Sequence, residues 1–418
     1  MNEFKLLKKF DKYVAIEREN ISKQVKIFNN KIGIIKEWNE KNLEMYLYKN
    51  GKLFSLFIEN PNEEKIRNSI EKAEKLMKYL PKIPFELKKD TRYVNEKYFD
   101  KKVIDNEKIV DKAEEAINFG LEKGNEVAGV LFSNIEKIKI YNPFLEKEDK
   151  NSMAYLSIRL FKDNISVHSI SCSRKIDGIK LQIDSINSYS KKMVKEGIYN
   201  ILFSPLAFSN LTHYFASFSS AFAVDAGYSF LVNKIGKKVA NEKVTIYDSG
   251  IERDGLFSKK FDDEGIATRK TCIVENGILK TYLHNCTTAV KYNTETTGNA
   301  GIIAPHPWNI ILKEGDASLN ELLEEIKEGI FITNVWYTRF HNYVTAEFST
   351  VARDVAFYIK NGEIKHIVEG IRINDNLERI FKNIEMISKE RKQIYWWEIE
   401  NPVFCPYVLV KNVRITTS

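Results

Sequence analysis

Apolar residues recur at helical spacing in five stretches of the chain, each punctuated at its ends. Ile66, Ile70, Ala73, Met77 and Leu80 follow Asn60-Pro61-Asn62-Glu63, which offers an Asn60 cap, a proline at the first helical position and a glutamate at the third. Pro81 stops that run. A second helix is expected to open at Asp105 or Asn106, to line Ile109, Ala113, Ala116, Ile117 and Leu121 on one face, and to close at Gly124. Ser204-Pro205 opens a third with Leu211, Phe215, Phe218 and Phe222 along it. Ser318-Leu319-Asn320-Glu321 is a capping box for a fourth that closes at Gly329. Asp375-Asn376-Leu377-Glu378 begins a fifth, along Leu377, Ile380, Phe381, Ile384 and Ile387.

Elsewhere the period drops to two. Ala15 to Ile35 and Glu44 to Ile58 alternate apolar and polar residues, the second around Asn50-Gly51. Ala154 to Ser171 and Ile176 to Ile183 read as an antiparallel pair turning at Asp177-Gly178 or just before it, and Tyr407 to Ile415 is strand-like. Asn50-Gly51, Asn276-Gly277 and Asn361-Gly362 each sit between β-formers, the strongest short-range hairpin signal. Three such hairpins without repeated β-α-β alternation predict an α+β chain with mainly antiparallel sheets.

At 418 residues the chain exceeds what one core organises, so two domains are expected. Cohesion is weakest at Lys191 to Asn200, where a lysine-bearing helix is expected to end at Gly197. The boundary is placed there, giving an N-terminal α+β domain over 1–195 and a C-terminal one over 196–418. Pro84 to Lys102, charged and turn-rich, is expected to join two halves of the first domain. A net charge of +7, from 64 Lys+Arg against 57 Asp+Glu, is thinly spread and forms no basic stripe, which excludes direct nucleic-acid contact as the leading reading. Plentiful Lys, Glu and Ile with only three glutamines lean towards a thermophile-like composition, a bias that an AT-rich genome also gives. The four cysteines include no C-x-x-C pair. The turn at Asn276-Gly277 places Cys272 opposite Thr281 rather than Cys286, so free thiols in a reducing cytoplasm are expected. The first residues contain no signal-peptide core and no apolar run reaches membrane-spanning length, which predicts a soluble cytoplasmic protein without membrane contact.

Candidate chemistry concentrates at Asp262-Asp263-Glu264-Gly265 and at Thr296-Thr297-Gly298-Asn299-Ala300-Gly301. Three consecutive carboxylates are too costly to bury unpaired, so they face solvent, a metal or backbone donors on a tight loop. They suit a hard cation, a basic peptide or partner, or turn-capping through the backbone of Gly265 to Thr268; capping leads because EF-hand spacing is absent. The second run lacks a Gly-Lys-Ser/Thr end and so is no P-loop; pairing with an extended peptide suits a glycine loop beside hairpins better. Asp262, Asp263, Glu264, Thr297, Gly298 and Asn299 are the expected peptide- or partner-binding residues, on one ordered surface. Trp396-Trp397 reads equally as an exposed contact patch or as a buried anchor for the last strand.

These stretches carry a resemblance. FDDEGIATRKTCIVENGILKTYL followed by TTGNAG resembles the C-terminal half of the TldD/PmbA family, also called modulators of DNA gyrase, and within it the PmbA (TldE) branch. Leu202-Phe203-Ser204-Pro205, Ser229-Phe230, Lys234-Ile235-Gly236 and Ala356 to Ile364 fit the same domain, so the likeness is specific over about Asn200 to Ile373. The resemblance implies a domain cut near residue 196 and action on unfolded or extended polypeptides. Catalytic members are zinc peptidases with a His-Glu-x-x-x-His helix and a cysteine near the C-terminus. Zinc chemistry of that kind needs two imidazoles on one helix face with a glutamate beside them. Here the six histidines are His168, His213, His284, His306, His341 and His366, and the closest two are 22 residues apart. The ligand helix maps to Leu211 to Ser217, where His213 stands among aromatics with no glutamate; Cys405 falls near the family's cysteine. His213 reads as a packed helix-face residue or a relic ligand, and Cys405 as a small buried hydrophobe. A dispersed zinc site of His306, His341 and Cys405 has no support from spacing.

No catalytic residue and no metal ligand is therefore assigned to this chain. The expected function is a non-catalytic PmbA/TldE-like subunit of a cytoplasmic metallopeptidase complex, with zinc and the glutamate base supplied by a TldD-like partner. A homodimer is the alternative assembly. A self-sufficient metallopeptidase with an unconventional ligand set, and a binding regulator of DNA gyrase, are the competing readings.

Overall fold

The structure, a computed structural model, describes residues 3–94, 96–123, 126–181, 189–301 and 303–417. Its architecture is α+β. A six-stranded antiparallel sheet is built from β1 (Lys12–Phe28), β2 (Lys31–Lys49), β3 (Lys52–Glu59), β4 (Glu126–Asn142), β5 (Leu145–Lys162) and β6 (Ile165–Ser173), in the order β3-β2-β1-β4-β5-β6. Helices α1 (Glu63–Met77) and α2 (Asn106–Glu122) cover one face. The strand period of two decides which side chains they meet. Ala15, Met45 and Leu47 pack against Ile66, Ile70 and Ala73 of α1. Their neighbours Val14, Ile16 and Tyr46 point the other way, into a cluster with Phe261, Ile266 and Cys286 from the second half of the chain. Both faces are thus buried at residues 14–16 of β1 and 43–47 of β2.

The second sheet is larger and mixed. Its strands are β7 (Lys191–Met193), β8 (Gly197–Phe203), β9 (Ile246–Ser249), β10 (Lys270–Glu275), β11 (Ile278–Leu279), β12 (Ile310–Leu312), β13 (Glu328–Asn342), β14 (Glu347–Lys360), β15 (Glu363–Glu369), β16 (Ile371–Asn376), β17 (Ile384–Trp396) and β18 (Ile399–Thr417). The main path runs β11-β10-β9-β12-β18-β8-β13-β14-β15-β7, with β16 and β17 attached to β18. The β12–β18, β8–β13 and β7–β15 pairs are parallel and the others antiparallel. The helices of this half are α3 (Pro205–Ser217), α4 (Ala221–Asp225), α5 (Cys286–Lys291), α6 (Leu319–Glu324) and α7 (Leu377–Lys382). Leu211 and Phe215 of α3 pack into the main core with Ile201, Phe203, Val403 and Val408.

All three Asn-Gly turns form hairpins with both residues at positive φ, pairing Lys49 with Lys52, Glu275 with Ile278 and Lys360 with Glu363. Other expectations are corrected. Ala15 to Ile35 is not one strand: Asn29 and Asn30, at φ 50° and 60°, reverse the chain. The β5–β6 hairpin likewise turns at Asp163-Asn164 (φ 49° and 61°), while Ile176–Gly178 is a 3₁₀ turn; residues 182 and 183 of the expected partner strand, and the helix stop at Gly124, lie outside the described residues. Helix α1 is capped by Asn62, whose side chain accepts from Lys65 N at 2.8 Å, not by Asn60. The lysine-bearing helix before Gly197 is strand β7, held by parallel pairing to Ile367–Glu369. Helix α6 ends at Glu324 and helix α7 at Lys382, because strand pairing takes over the apolar residues that follow, and Phe222 lies on the separate helix α4.

Among the described residues no strand of one sheet pairs with a strand of the other. The halves meet through a backbone bond from Tyr98 N to Arg253 O at 3.0 Å and through side chains: Tyr46 Oη donates to Gly301 O at 2.6 Å, Tyr93 Oη to Gly265 O at 2.9 Å, and Arg174 to the carbonyls of Gly255 and Leu256 at 3.0 Å. A second seam joins Arg159 Nε and Ser166 Oγ of the first sheet to Asp354 Oδ1 of β14, at 3.0 and 2.7 Å.

Candidate functional site

The acidic and glycine loops are bonded to each other and lie at the junction of the two halves. Asp262 Oδ1 accepts from the backbone N–H of Glu264 and Ile266 at 2.9 and 3.0 Å, and its Oδ2 from that of Ala300 at 3.0 Å. Asp263 N donates back to Ala300 O at 3.1 Å. The turn needs Gly265, at φ +86°, where a Cβ would meet Asn142 Nδ2 at 2.8 Å. Gly298, at φ +73°, lets the glycine loop approach Ala267 O, which a Cβ would meet at 2.5 Å. Glu264 Oε2 accepts from the Cys286 N–H at 2.7 Å, in the first turn of α5.

The expected exposed surface is therefore not what forms. Asp262 is 0 % exposed, Asp263 9 % and Glu264 2 %, and Gly298 and Asn299 are buried as well; Thr297 alone of the six is half-buried. Of the outcomes open to three adjacent carboxylates, backbone donors satisfy Asp262 and Glu264, and an arginine satisfies Asp263. Arg18 of β1 reaches Asp263 Oδ1 through Nη2 at 2.6 Å, Glu136 Oε1 through Nη1 at 3.2 Å and Glu44 Oε1 through Nε at 3.3 Å. Burial pushes Glu136 up, but Lys259 and Arg18 outweigh it and hold the group at about 2. Glu44 stays raised because burial exceeds the attraction of Arg18. Burial and then the neighbouring Glu264 carboxylate drive Asp262 upwards, against its three N–H donors; burial raises Glu264 to about 7.

The glycine loop extends this polar interior. Asn299 Nδ2 donates to Asp248 Oδ2 at 2.6 Å and to His306 O at 3.0 Å, and Trp308 N donates to Asp248 Oδ1 at 2.6 Å. Burial nevertheless raises Asp248 to about 7. Thr297 Oγ1 accepts from His284 N at 2.8 Å, while Gly298 O accepts from Trp308 Nε1 at 2.8 Å. Lys259 Nζ lies 4.7 Å from the Trp308 ring centroid. The geometry fixes loop shape and clamps the sheets, and it sets the buried Cys286 thiol, raised by burial and by Glu264, in hydrogen-bonding contact with the Glu264 carboxylate. Arg18, Glu44, Glu136 and Lys259 carry no local sequence signal, since Arg18 and Asp263 are 245 positions apart.

The other place of interest is α3. Ser204 caps it, its hydroxyl accepting from Ala207 N at 3.2 Å, and Pro205 supplies the first helical position. Its one imidazole, His213, is 4 % exposed, lies edge-on to Tyr214 at 5.3 Å and is pushed down to about 4 by burial; its Nδ1 has no hydrogen-bond partner among the described residues. Cys405 of β18 meets this helix, its thiol in hydrogen-bonding contact with the Thr212 hydroxyl and raised by burial. One neutral imidazole, one buried thiol and no helix carboxylate do not fit a catalytic zinc ion, which takes three protein ligands and needs an adjacent base. No group of three or more His, Cys, Asp or Glu among the described residues is placed to hold a metal, His306, His341 and Cys405 included. The four cysteines are unpaired. Trp396 is buried at 2 % exposure and Trp397 is 61 % exposed, so the pair divides between the anchor and the patch. No helix among the described residues is long and apolar enough to cross a membrane.

Residues 196–417 match the model of the PmbA/TldA metallopeptidase C-terminal domain. A Buchnera aphidicola protein named metalloprotease PmbA homolog is 29 % identical over 283 residues, which span 65 % of this chain and 60 % of that protein. Among solved structures, a Thermotoga maritima protein described as a candidate modulator of a DNA gyrase superposes with a TM-score of 0.85 at 26 % identity, covering 99 % of this chain and 98 % of its own. TldE from Thermococcus kodakarensis superposes with a TM-score of 0.84 at 22 % identity, covering 99 % of each chain.

Proposed function

Because the chain belongs to the PmbA/TldD metallopeptidase family, we propose that it serves as the non-catalytic, PmbA/TldE-like subunit of a peptidase complex acting on unfolded or extended peptides. The observation that carries this reading is helix α3, which meets Cys405 with a single buried, neutral histidine and no carboxylate. In this reading a TldD-like partner supplies zinc and the glutamate base, and this chain shapes the path of the peptide. Asp262, Asp263, Glu264, Gly298 and Asn299 hold the loops in place, and direct peptide or partner contact falls to their outer rim, where Thr297 is half-exposed.

Reconstitution tests the proposal. The purified chain, alone and mixed with a family member bearing His-Glu-x-x-x-His, is assayed on an unfolded peptide. Activity of the mixture that neither component has alone is the expected outcome. Chelator-sensitive cleavage by this chain alone would sink the subunit reading in favour of a self-sufficient enzyme.

A further inference from the structure

The connecting segment that crosses the junction leaves a basic pocket against the same two loops. Phe85 and Leu87 of this segment are buried with Phe261 and Ile266. Just beyond them, Lys88, Lys89 and Arg92 converge with Arg269 around a pocket of about 80 Å³, floored by Ile266 and Thr296. A water molecule occupies about 30 Å³ of liquid, so the space suits one compact polar group. Four cations face two carboxylates, Asp90 and Glu295, an excess of two positive charges.

The carboxylates do not use Arg269. Asp90 is taken by Arg92, whose Nε and Nη2 reach its two oxygens at 3.0 and 3.1 Å, and by the N–H groups of Thr91 and Arg92. Asp262, behind the pocket, already accepts three backbone N–H bonds. Glu295 is exposed. The half-buried Arg269 guanidinium makes no hydrogen bond and no ion pair among the described residues, although a guanidinium carries five donors. Burial lowers its pKa and the facing Arg92 lowers it further, and the more distant attraction of Asp90, Glu295 and Asp262 does not make this up.

We propose that this pocket is an oxyanion site, in which Arg269, flanked by Lys88, Lys89 and Arg92, binds a carboxylate or phosphate group. The planar guanidinium fork matches either oxyanion through two parallel N–H···O bonds. The two sources are the terminal carboxylate of a polypeptide and free phosphate. The site stands independently of the subunit reading, because it is built wholly from this chain.

Calorimetric titration of the full-length chain tests it at constant ionic strength, with inorganic phosphate, with N-acetyl-dialanine, and with the same peptide amidated. Saturable binding of phosphate or of the free acid, with none of the amide, is expected; whichever of the two binds identifies the source. Arg269→Gln should weaken that binding at least tenfold, and Arg269→Lys, which keeps the charge but loses the fork, should weaken it less. In anion-free buffer Arg269→Gln should melt at or above the wild-type temperature, because it relieves an unpaired cation. No saturable binding to the wild type, equal binding of the amide, undiminished binding to Arg269→Gln, or a lowered melting temperature for Arg269→Gln would each overturn the proposal.

Discussion

Replacing Arg18 by methionine probes the junction most directly. Each of its three ion pairs, at 2.6, 3.2 and 3.3 Å, is worth roughly 5–6 kcal/mol in gross attraction at an effective dielectric of about 20. Most of that is offset by desolvation, since the arginine side chain is 11 % exposed and its partners are 11–17 % exposed. Removing one partner of a buried ion pair still costs about 3–5 kcal/mol, because the charge left behind has neither water nor counterion. Three carboxylates are left behind here, so Arg18→Met should lose about 4–5 kcal/mol at pH 7.5. The loss should shrink as pH falls. In the wild type Glu136 is depressed to about 2, so its stabilising contribution is complete above the ordinary carboxylate range and survives to pH 5. In the variant Glu44, already raised by burial, also loses the attraction of the arginine and takes up a proton more readily as pH falls, which relieves the repulsion. Urea unfolding followed by far-ultraviolet circular dichroism at the two pH values measures both effects. A loss under about 1 kcal/mol at pH 7.5, or one that does not change with pH, would refute the reasoning.

Three further outcomes follow from other positions. Gly298→Ala should lose about 2–3 kcal/mol in thermal melts, through its positive φ and the clash with Ala267 O; a loss within 0.5 kcal/mol would mean that the loops need not touch. Glu264, raised to about 7, favours the folded state fully below its unfolded value and loses that contribution as pH rises through 7. The stability of wild type relative to Glu264→Gln should therefore fall by on the order of 2–3 kcal/mol between pH 5 and pH 8, and a flat difference in matched urea titrations would contradict this. Trp396→Ala should cost about 3–5 kcal/mol and Trp397→Ala within about 0.5; comparable losses on melting would place both rings in the core.

The sequence revealed elements whose signal is local. The Asn-Gly hairpins, the capping box at Ser318 and the apolar faces of α1, α2 and α3 were all legible, because each is set by residues a few positions apart. The Asn29-Asn30 and Asp163-Asn164 reversals are not legible in the same way, because neither contains the glycine that marks the other hairpins. The ends of α6 and α7 were misplaced because apolar residues that also suit a helix are drawn into β13 and β17 by pairing with distant strands. At the candidate site the cost of burying carboxylates correctly demanded partners, and backbone capping was the leading reading. What local sequence could not supply was Arg18, the counterion that lets Asp263 go inside.

The position of β18 bears on how the molecule is made. Every strand of the first sheet has left the ribosome once Ser173 has emerged, so that sheet can form while synthesis continues. The second sheet has no such option. β18, the latest of its strands in sequence order, is central, lying between β12 and β8 and also carrying β16 and β17. Until residues 399–417 appear, β8 lacks a neighbour and the apolar face of α3 lacks Val403 and Val408. About half the chain therefore waits, translated but unfinished, with core surface exposed, the condition under which nascent polypeptides call on chaperones. Losing residues 399–417 removes the middle of a sheet rather than an edge.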